Sequence, residues 1–105
     1  MKKLMMIAAT AGLMLAGSAH AVDAEKAKAL AQSKNCLACH AVDKKLVGPA
    51  YTEISKKYKG NKDAQSNLIK KVINGGGGVW GTIPMPPNPV KEDEAKLLVG
   101  WILSM

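Results

Sequence analysis

Cys36-Leu37-Ala38-Cys39-His40 is the segment around which the rest of this 105-residue chain is organised. The Cys-x-x-Cys-His pattern predicts a c-type haem attachment site. Each thiol would bond to one haem vinyl group, and the histidine would supply an axial nitrogen to the iron. On a helical turn, positions i, i+3 and i+4 share one face, so Cys36, Cys39 and His40 would point at the same porphyrin. The predicted cofactor is one covalently bound haem c.

Three other arrangements could use two cysteines at this spacing. A structural zinc site takes four Cys or His ligands, but the chain has two cysteines and two histidines, and His20 lies in a predicted signal peptide. A thioredoxin-like redox pair needs a βαβ setting, and no alternating Val/Ile-rich strand is present. A disulfide would close only a tiny loop. The haem hypothesis is favoured, and the rest of the chain must supply the second ligand and the compartment.

The beginning of the chain has the pattern of a secretory signal peptide. Two lysines precede an apolar segment, residues 4–16, and Ala19-His20-Ala21 resembles a small-residue cleavage site. Thirteen residues fall short of the about 20 that span a bilayer, which favours cleavage over an uncleaved anchor. We therefore expect a signal peptide at 1–21, cleavage after Ala21, one domain at 22–105 in the periplasm, and no stable membrane insertion.

The composition of the predicted mature domain indicates that it needs a cofactor to fold. It has 84 residues, no phenylalanine, and four aromatic residues: Tyr51, Tyr58, Trp80 and Trp101. A core of this size is marginal and is often completed by a metal, disulfides or a comparable staple. A covalently held haem would supply the missing apolar centre.

The charge of the chain favours an acidic protein partner. All fifteen basic residues are lysines, and the thirteen in 22–105 face eight acidic residues, a net charge of +5. Without arginine the chain lacks bidentate contacts to bases or phosphates, and an exported protein rarely meets nucleic acid. We expect acidic redox proteins as partners, no nucleic acid, and a monomer. The alternative is that the lysines only keep the protein soluble.

Hydrophobic spacing predicts an all-α domain of about four short helices. The first would begin at an N-cap, Asp23, and run to about Lys34. The second would cover 51–58, the third would be capped by Asn61 or Asp63 and end at Asn74-Gly75, and the fourth would start near Lys91. Gly100 is expected to let the first helix approach the fourth closely.

Elimination identifies the second iron ligand as Met85. After the predicted cleavage one histidine remains, His40, so ligation by two histidines of one chain is impossible. The remaining methionines are Met85 and Met105, and the last residue of a helix would be poorly held. Met85 lies in Ile83-Pro84-Met85-Pro86-Pro87-Asn88-Pro89, whose prolines stiffen the backbone. A His/Met pair fills both axial positions and suits electron transfer.

With these features the chain resembles the small class I bacterial cytochromes c, the periplasmic monohaem carriers of denitrifying and ammonia-oxidising bacteria. The matching segments appear in family order and extend over essentially all of 22–105. They are Cys36-Leu37-Ala38-Cys39-His40, Leu46-Val47-Gly48-Pro49-Ala50-Tyr51, Gly78-Val79-Trp80-Gly81 and Ile83-Pro84-Met85-Pro86-Pro87-Asn88. The resemblance implies the small class I cytochrome c fold, with the helices wrapped around one haem.

The resemblance also implies roles for residues near the iron. The carbonyl of Pro49 would accept the ring N–H of His40, which orients the imidazole and raises its basicity. The side-chain amide of Asn88 would contact the sulfur of Met85.

Three further roles follow from the same resemblance. The indole N–H of Trp80 would contact a haem propionate, which a basic residue at Lys71 would help to neutralise. Trp101 would pack the last helix onto the first. The chain departs from the family at Lys91, where a capping serine is frequent, and this weakens the cap by ~1 kcal/mol.

The resulting hypothesis is a periplasmic single-electron carrier, not an enzyme, that passes electrons between respiratory redox proteins. Nitrite reductase and terminal oxidases are expectations at the level of the family. The exposed haem edge would be ringed by lysines, including Lys34, Lys44 and Lys45. Two rivals remain, a small haem peroxidase and a gas-binding haem protein, and both need an open or labile sixth position on the iron.

Overall fold

The computed structural model describes residues 18–105, with side chains from Ala24 onward. The predicted signal peptide lies outside the described residues except for its last four. Cleavage after Ala21 therefore stays a prediction. No helix in the described part of the chain is both long and apolar enough to cross a membrane.

Four α-helices make up the regular structure of the described residues. They are α1 (Ser18–Ser33), α2 (Tyr51–Lys57), α3 (Ala64–Asn74) and α4 (Glu92–Leu103). A single turn of 3-10 helix, Cys36–Ala38, follows α1. Residues 18–105 contain no strand, only an isolated antiparallel bridge between Gly76 and Met85. The all-α prediction is confirmed.

The helix ends show where local spacing was a sufficient guide. The predicted N-cap Asp23 is wrong, because α1 begins at Ser18 and passes through it. Ser18 to Val22 contain no proline or glycine, so nothing there stops the helix from extending. α3 ends as predicted, since Gly75 adopts a φ of 77° that favours glycine.

The start of α4 compensates for its unusual cap. Lys91 occupies the N-cap position, and its backbone N–H donates to Oε1 of Glu94 at 2.9 Å. Three acidic residues, Glu92, Asp93 and Glu94, fill the first turn, where they interact favourably with the helix dipole. A capping serine would accept a hydrogen bond from the N–H of Glu94; here that N–H donates to Oδ1 of Asp93 at 2.9 Å, so the Asp93 carboxylate replaces part of the serine's contribution.

The core forms where α4 contacts each of the other three helices. Tyr51, Ile54 and Ile102 are its buried centre, and Leu37, Tyr58, Leu68 and Trp101 pack against them. α1 contributes small side chains, the fully buried Ala27 and Ala31.

Gly100 does not mediate the approach of α1 to α4, so that prediction is wrong. Gly100 is exposed, and a Cβ placed on it would meet nothing within 4 Å. The approach is explained by the alanines of α1, because side chains this small allow helix axes to come close. Trp101 packs edge-to-face on Tyr51 of α2, with ring centroids 5.5 Å apart. Its expected packing onto the first helix stays a prediction.

Candidate haem-binding site

The Cys36–His40 segment forms one tight helical turn. The backbone N–H groups of Cys39 and His40 both donate to the carbonyl of Cys36, at 3.2 and 3.1 Å. Asn35 precedes the turn with a φ of 63°, the one left-handed non-glycine residue in the described part of the chain. This conformation, which asparagine tolerates better than most residues, redirects the chain from α1 into the turn.

The imidazole of His40 is oriented by a backbone carbonyl. Its Nδ1 lies 2.7 Å from the carbonyl oxygen of Pro49, which is itself buried. A carbonyl oxygen can only accept, so Nδ1 carries the proton and donates it. The other ring nitrogen, Nε2, is then the one with a free lone pair. This is the arrangement in which a histidine ligates a metal.

Two contacts that the sequence did not reveal complete the environment of His40. The ring of Tyr51 stacks on the imidazole, with centroids 5.0 Å apart and an interplanar angle of 25°. Gly48 also lies against the imidazole, where an added Cβ would sit 2.7 Å from Cε1 of His40. The Gly48-Pro49 pair indicated a turn. The neighbouring sequence did not show that the lack of a side chain at Gly48 leaves room for the His40 imidazole.

The loop that contains Met85 is tied to the end of α3. Met85 and Gly76 exchange two backbone hydrogen bonds, each 2.9 Å long. The neighbouring Gly75 leaves space for this contact, because a Cβ there would lie 2.6 Å from the carbonyl oxygen of Met85. The side chain of Met85 is half-buried. The methionine is therefore held at its own backbone, in addition to the stiffness that its flanking prolines supply.

Asn88 uses its side chain to hold the loop that contains Met85. Its Nδ2 donates to the carbonyls of Val72 at 2.9 Å and Pro86 at 3.2 Å, which engages both amide protons. Val72 lies in the last turn of α3, where carbonyls have no partner within the helix. The expected contact between this amide and the sulfur of Met85 is not among the hydrogen bonds of residues 18–105.

Lysines lie at both ends of the glycine-rich segment. Nζ of Lys57 lies 5.6 Å from the ring centroid of Trp80, which is 40% exposed. Nζ of Lys71 lies 3.1 Å from the position that a Cβ on Gly76 would occupy. The side chain of Lys71, which belongs to α3, thus lies against the segment that carries Trp80. Their expected roles at the propionates stay predictions.

One cavity of about 410 Å³ brings all the predicted site residues together. Its lining includes Cys36, Cys39, His40, Pro49, Lys71, Trp80, Met85 and Asn88. The cavity has the size of a ligand pocket, about 300–1,000 Å³. Side chains such as Ile54, Leu98 and Val99 give it a largely apolar wall.

The two cysteines are free. No disulfide joins Cys36 to Cys39. Burial raises the pKa of the Cys36 thiol. Burial, together with the neighbouring Cys36, also raises the pKa of the Tyr51 hydroxyl. Before attachment the Cys36 thiol is therefore neutral at neutral pH.

These residues fit a covalently held haem better than a simple metal ion. Among the described residues, no group of three or more His, Cys, Asp or Glu side chains could hold an ion directly. What the cavity offers is two free thiols, one imidazole, one thioether and apolar walls. This donor set suits an iron that arrives with four ligands of its own in a macrocycle.

The fold and this donor set define a class, the c-type haem proteins of electron transfer. The family model described as "Cytochrome c" matches residues 24–105. The chain belongs to the cytochrome c family, as one of the small bacterial class I members, and it carries covalently bound haem c.

The relatives agree in sequence and in structure. The chain is 48% identical to cytochrome c-551 of Pseudomonas aeruginosa over 93 residues, 89% of this chain and 86% of that protein. It is 54% identical to cytochrome c-552 of Hydrogenobacter thermophilus over 76 residues, 72% of this chain and 78% of that protein. The crystal structure of wild-type Nitrosomonas europaea cytochrome c552 matches with a TM-score of 0.71 at 49% identity, covering 73% of this chain and 96% of that one. The protein is an electron carrier, not an enzyme.

Proposed function

We propose that the protein is a periplasmic carrier of single electrons whose iron is ligated by His40 and Met85. The observation that carries the proposal is the hydrogen bond from Nδ1 of His40 to the Pro49 carbonyl, 2.7 Å long. It leaves Nε2 as the free nitrogen of a ring that lines the same cavity as Met85. Among the residues that the structure describes, 18–105, no other imidazole or thioether lines that cavity.

The roles of the residues follow from this arrangement. Haem c supplies, when bound, an iron that gains or loses one electron. Cys36 and Cys39 tether it through thioether bonds. His40 offers a basic nitrogen, because its hydrogen bond to Pro49 increases the electron density of the imidazole. Met85 offers a thioether, which favours the reduced iron and raises the reduction potential.

The mounting of Met85 favours a carrier over the two rival functions. A peroxidase or a gas-binding protein needs a sixth ligand that leaves easily. Met85 instead exchanges two hydrogen bonds with Gly76 and is flanked by Pro84 and Pro86. Each restraint reduces the freedom of the loop to withdraw the sulfur. A permanently filled coordination sphere also changes little between oxidation states, as electron transfer requires.

The surface charge supports an acidic redox partner. Lys44 and Lys45 are exposed, Lys45 also lines the cavity, and Lys34 is half-buried at the end of α1. Lysine ammonium groups are mobile point charges that steer association more than they fix a tight complex. The donor and the acceptor would be periplasmic redox proteins, with a nitrite reductase or a terminal oxidase as the acceptor.

Replacing Met85 by Ala tests the ligation. The variant should keep its covalent haem, lose the weak ferric absorption band near the red end that marks an iron–methionine bond, and bind carbon monoxide or cyanide. Its reduction potential should fall, because the thioether no longer favours the reduced iron. Met105→Ala is the matched control and should behave as wild type. An unchanged potential and an iron still closed to carbon monoxide in Met85→Ala would show that Met85 only packs.

A further inference from the structure

A lysine at the end of α2 lies over the one tryptophan of the glycine-rich segment. We call residues 75–81, from Gly75 to Gly81, the glycine strap. Nζ of Lys57 is 5.6 Å from the ring centroid of Trp80 and 5.8 Å from that of Tyr58. A cation within about 6 Å of an aromatic centroid is attracted by the negative face of the ring. Lys57 thus connects α2 to the strap through Trp80.

The strap has few other restraints on this side of the cavity. In the described part of the chain, residues 77–84 form one backbone hydrogen bond among themselves, from the Gly78 N–H to the Gly81 carbonyl at 3.2 Å. Gly78 and Gly81 have φ values of 94° and 132°, and a Cβ on either would meet nothing within 4 Å. At Gly78 and Gly81 glycine therefore sets the direction of the chain, and packing does not hold it. Gly77 differs, because a Cβ there would lie 3.0 Å from Cα of Pro84.

The end of the strap at Gly76 is held by hydrogen bonds and by a lysine side chain. Gly76 exchanges two hydrogen bonds with Met85, and the side chain of Lys71 lies against Gly76. The strap is thus anchored to the Met85 loop and α3 at one end, while Trp80 at the other is 40% exposed. Lys57 of α2 lies against this exposed end, with its Nζ over the ring of Trp80.

We propose that Lys57 is a positioning residue, which fixes Trp80 and with it the free end of the glycine strap at the mouth of the cavity. To fix Trp80, Lys57 needs both the charge of its ammonium group and the place of that group over the ring. This inference goes beyond the proposed function, since it does not depend on which side chains ligate the iron. It explains why a strap rich in glycine, whose backbone loses much freedom on ordering, can present Trp80 in one orientation.

Three variants of the haem-containing protein separate this role from general charge effects. Lys57→Met keeps the unbranched stem and removes the charge, whereas Lys57→Arg keeps a cation that stacks well on aromatic rings. Lys56→Met removes the same charge from the neighbouring exposed position of α2, with no aromatic ring beneath it. The readout is hydrogen exchange of the Trp80 indole N–H in the reduced protein, followed by NMR. Trp101, the other tryptophan, is the internal reference.

Lys57→Met should accelerate Trp80 indole exchange about two- to fivefold, the range expected for loss of an exposed cation–π contact. Trp101 should be unaffected, Lys57→Arg should restore the wild-type rate, and Lys56→Met should match wild type. The reduction potential should follow the same order, with Lys57→Met further from wild type than Lys56→Met. Unchanged Trp80 exchange in Lys57→Met overturns the proposal. Equal acceleration in both methionine variants, or equal acceleration at Trp101, also overturns it, since net charge or global opening would then be responsible.

Discussion

The contact between Gly48 and His40 yields a prediction about stability. Replacing glycine by alanine should destabilise the protein at Gly48 and stabilise it at Gly100. In Gly48→Ala, the new methyl group would sit 2.7 Å from Cε1, 3.0 Å from Nδ1 and 3.2 Å from Nε2 of His40. Ordinary contacts at a Cβ begin at 3.4 Å. The imidazole and the Gly48 backbone must therefore separate by about 0.7 Å, the difference between these distances.

The surroundings leave little room for that movement. Tyr51 stacks on the imidazole face at 5.0 Å, and the Pro49 carbonyl holds Nδ1 at 2.7 Å. The backbone of Gly48 is also fixed, because its N–H donates to the Cys39 carbonyl at 2.7 Å. Forcing an extra methyl group into a packed site costs about 1–3 kcal/mol. We expect Gly48→Ala to lower the free energy of unfolding by that amount.

Gly100→Ala is the matched control. Gly100 lies exposed within α4, and its added Cβ would meet nothing within 4 Å. Alanine is favoured over glycine inside a helix, so this variant should gain about 0.5–1 kcal/mol. Urea unfolding of both haem-containing variants measures the two changes, provided that the free energy of unfolding depends on urea concentration with the same slope in each.

The iron provides a second readout of the same substitution. Because His40 is the proposed ligand, Gly48→Ala should also shift the visible spectrum and the reduction potential, whereas Gly100→Ala should leave both unchanged. The reasoning is refuted if Gly48→Ala is as stable as wild type and has the wild-type spectrum, because the imidazole would then not be confined by Gly48.

Three further predictions follow from other contacts. Asn88→Ala removes two hydrogen bonds and should lower the free energy of unfolding by about 1–3 kcal/mol. It should also shift the reduction potential. A potential identical to that of the wild type would show that the loop holds Met85 without the amide of Asn88. Ser55→Ala deletes a buried hydroxyl whose one proton is shared between the backbone oxygens of Leu103, at 3.3 Å, and Met105, at 2.9 Å. It should cost about 0.5–1.5 kcal/mol in urea unfolding with an unchanged potential. Exchanging Lys44 and Lys45 for Glu should slow electron transfer with the physiological partner more than Lys62→Glu does. The wild-type rate should fall as salt rises, because charge attraction is screened within about 8–10 Å; a rate independent of salt in every variant would mean that the lysines serve only solubility.

Local spacing was a sufficient guide wherever the relevant contacts lie within one turn or one helix. Cys36, Cys39 and His40 are within five residues, so their common face follows from the geometry of a single turn. The ends of α2 and α3 were also predicted closely, because a repeating apolar face and a terminating glycine are local features. The prediction of Met85 as a ligand used a count of the available side chains and the place of Met105 at the last residue.

Contacts between distant segments could not be read from spacing. Asn88 donates to Val72, sixteen residues away, because the last turn of α3 leaves carbonyls without a partner and the Met85 loop passes beside them. Gly100 was predicted to be the site where α1 approaches α4, but the approach is made at the alanines of α1. A sequence shows which residue is small, but only packing decides against which neighbour the small residue lies.

The sequence by itself determined the cofactor and the helical class of this protein, since each depends on residue identity and short-range periodicity. The tertiary structure alone decided how the imidazole is held, between Tyr51, Gly48 and the Pro49 carbonyl, and which lysine meets Trp80. The physical reason is that an orientation is a balance of several weak contacts from separate segments. That balance exists only once the chain has packed.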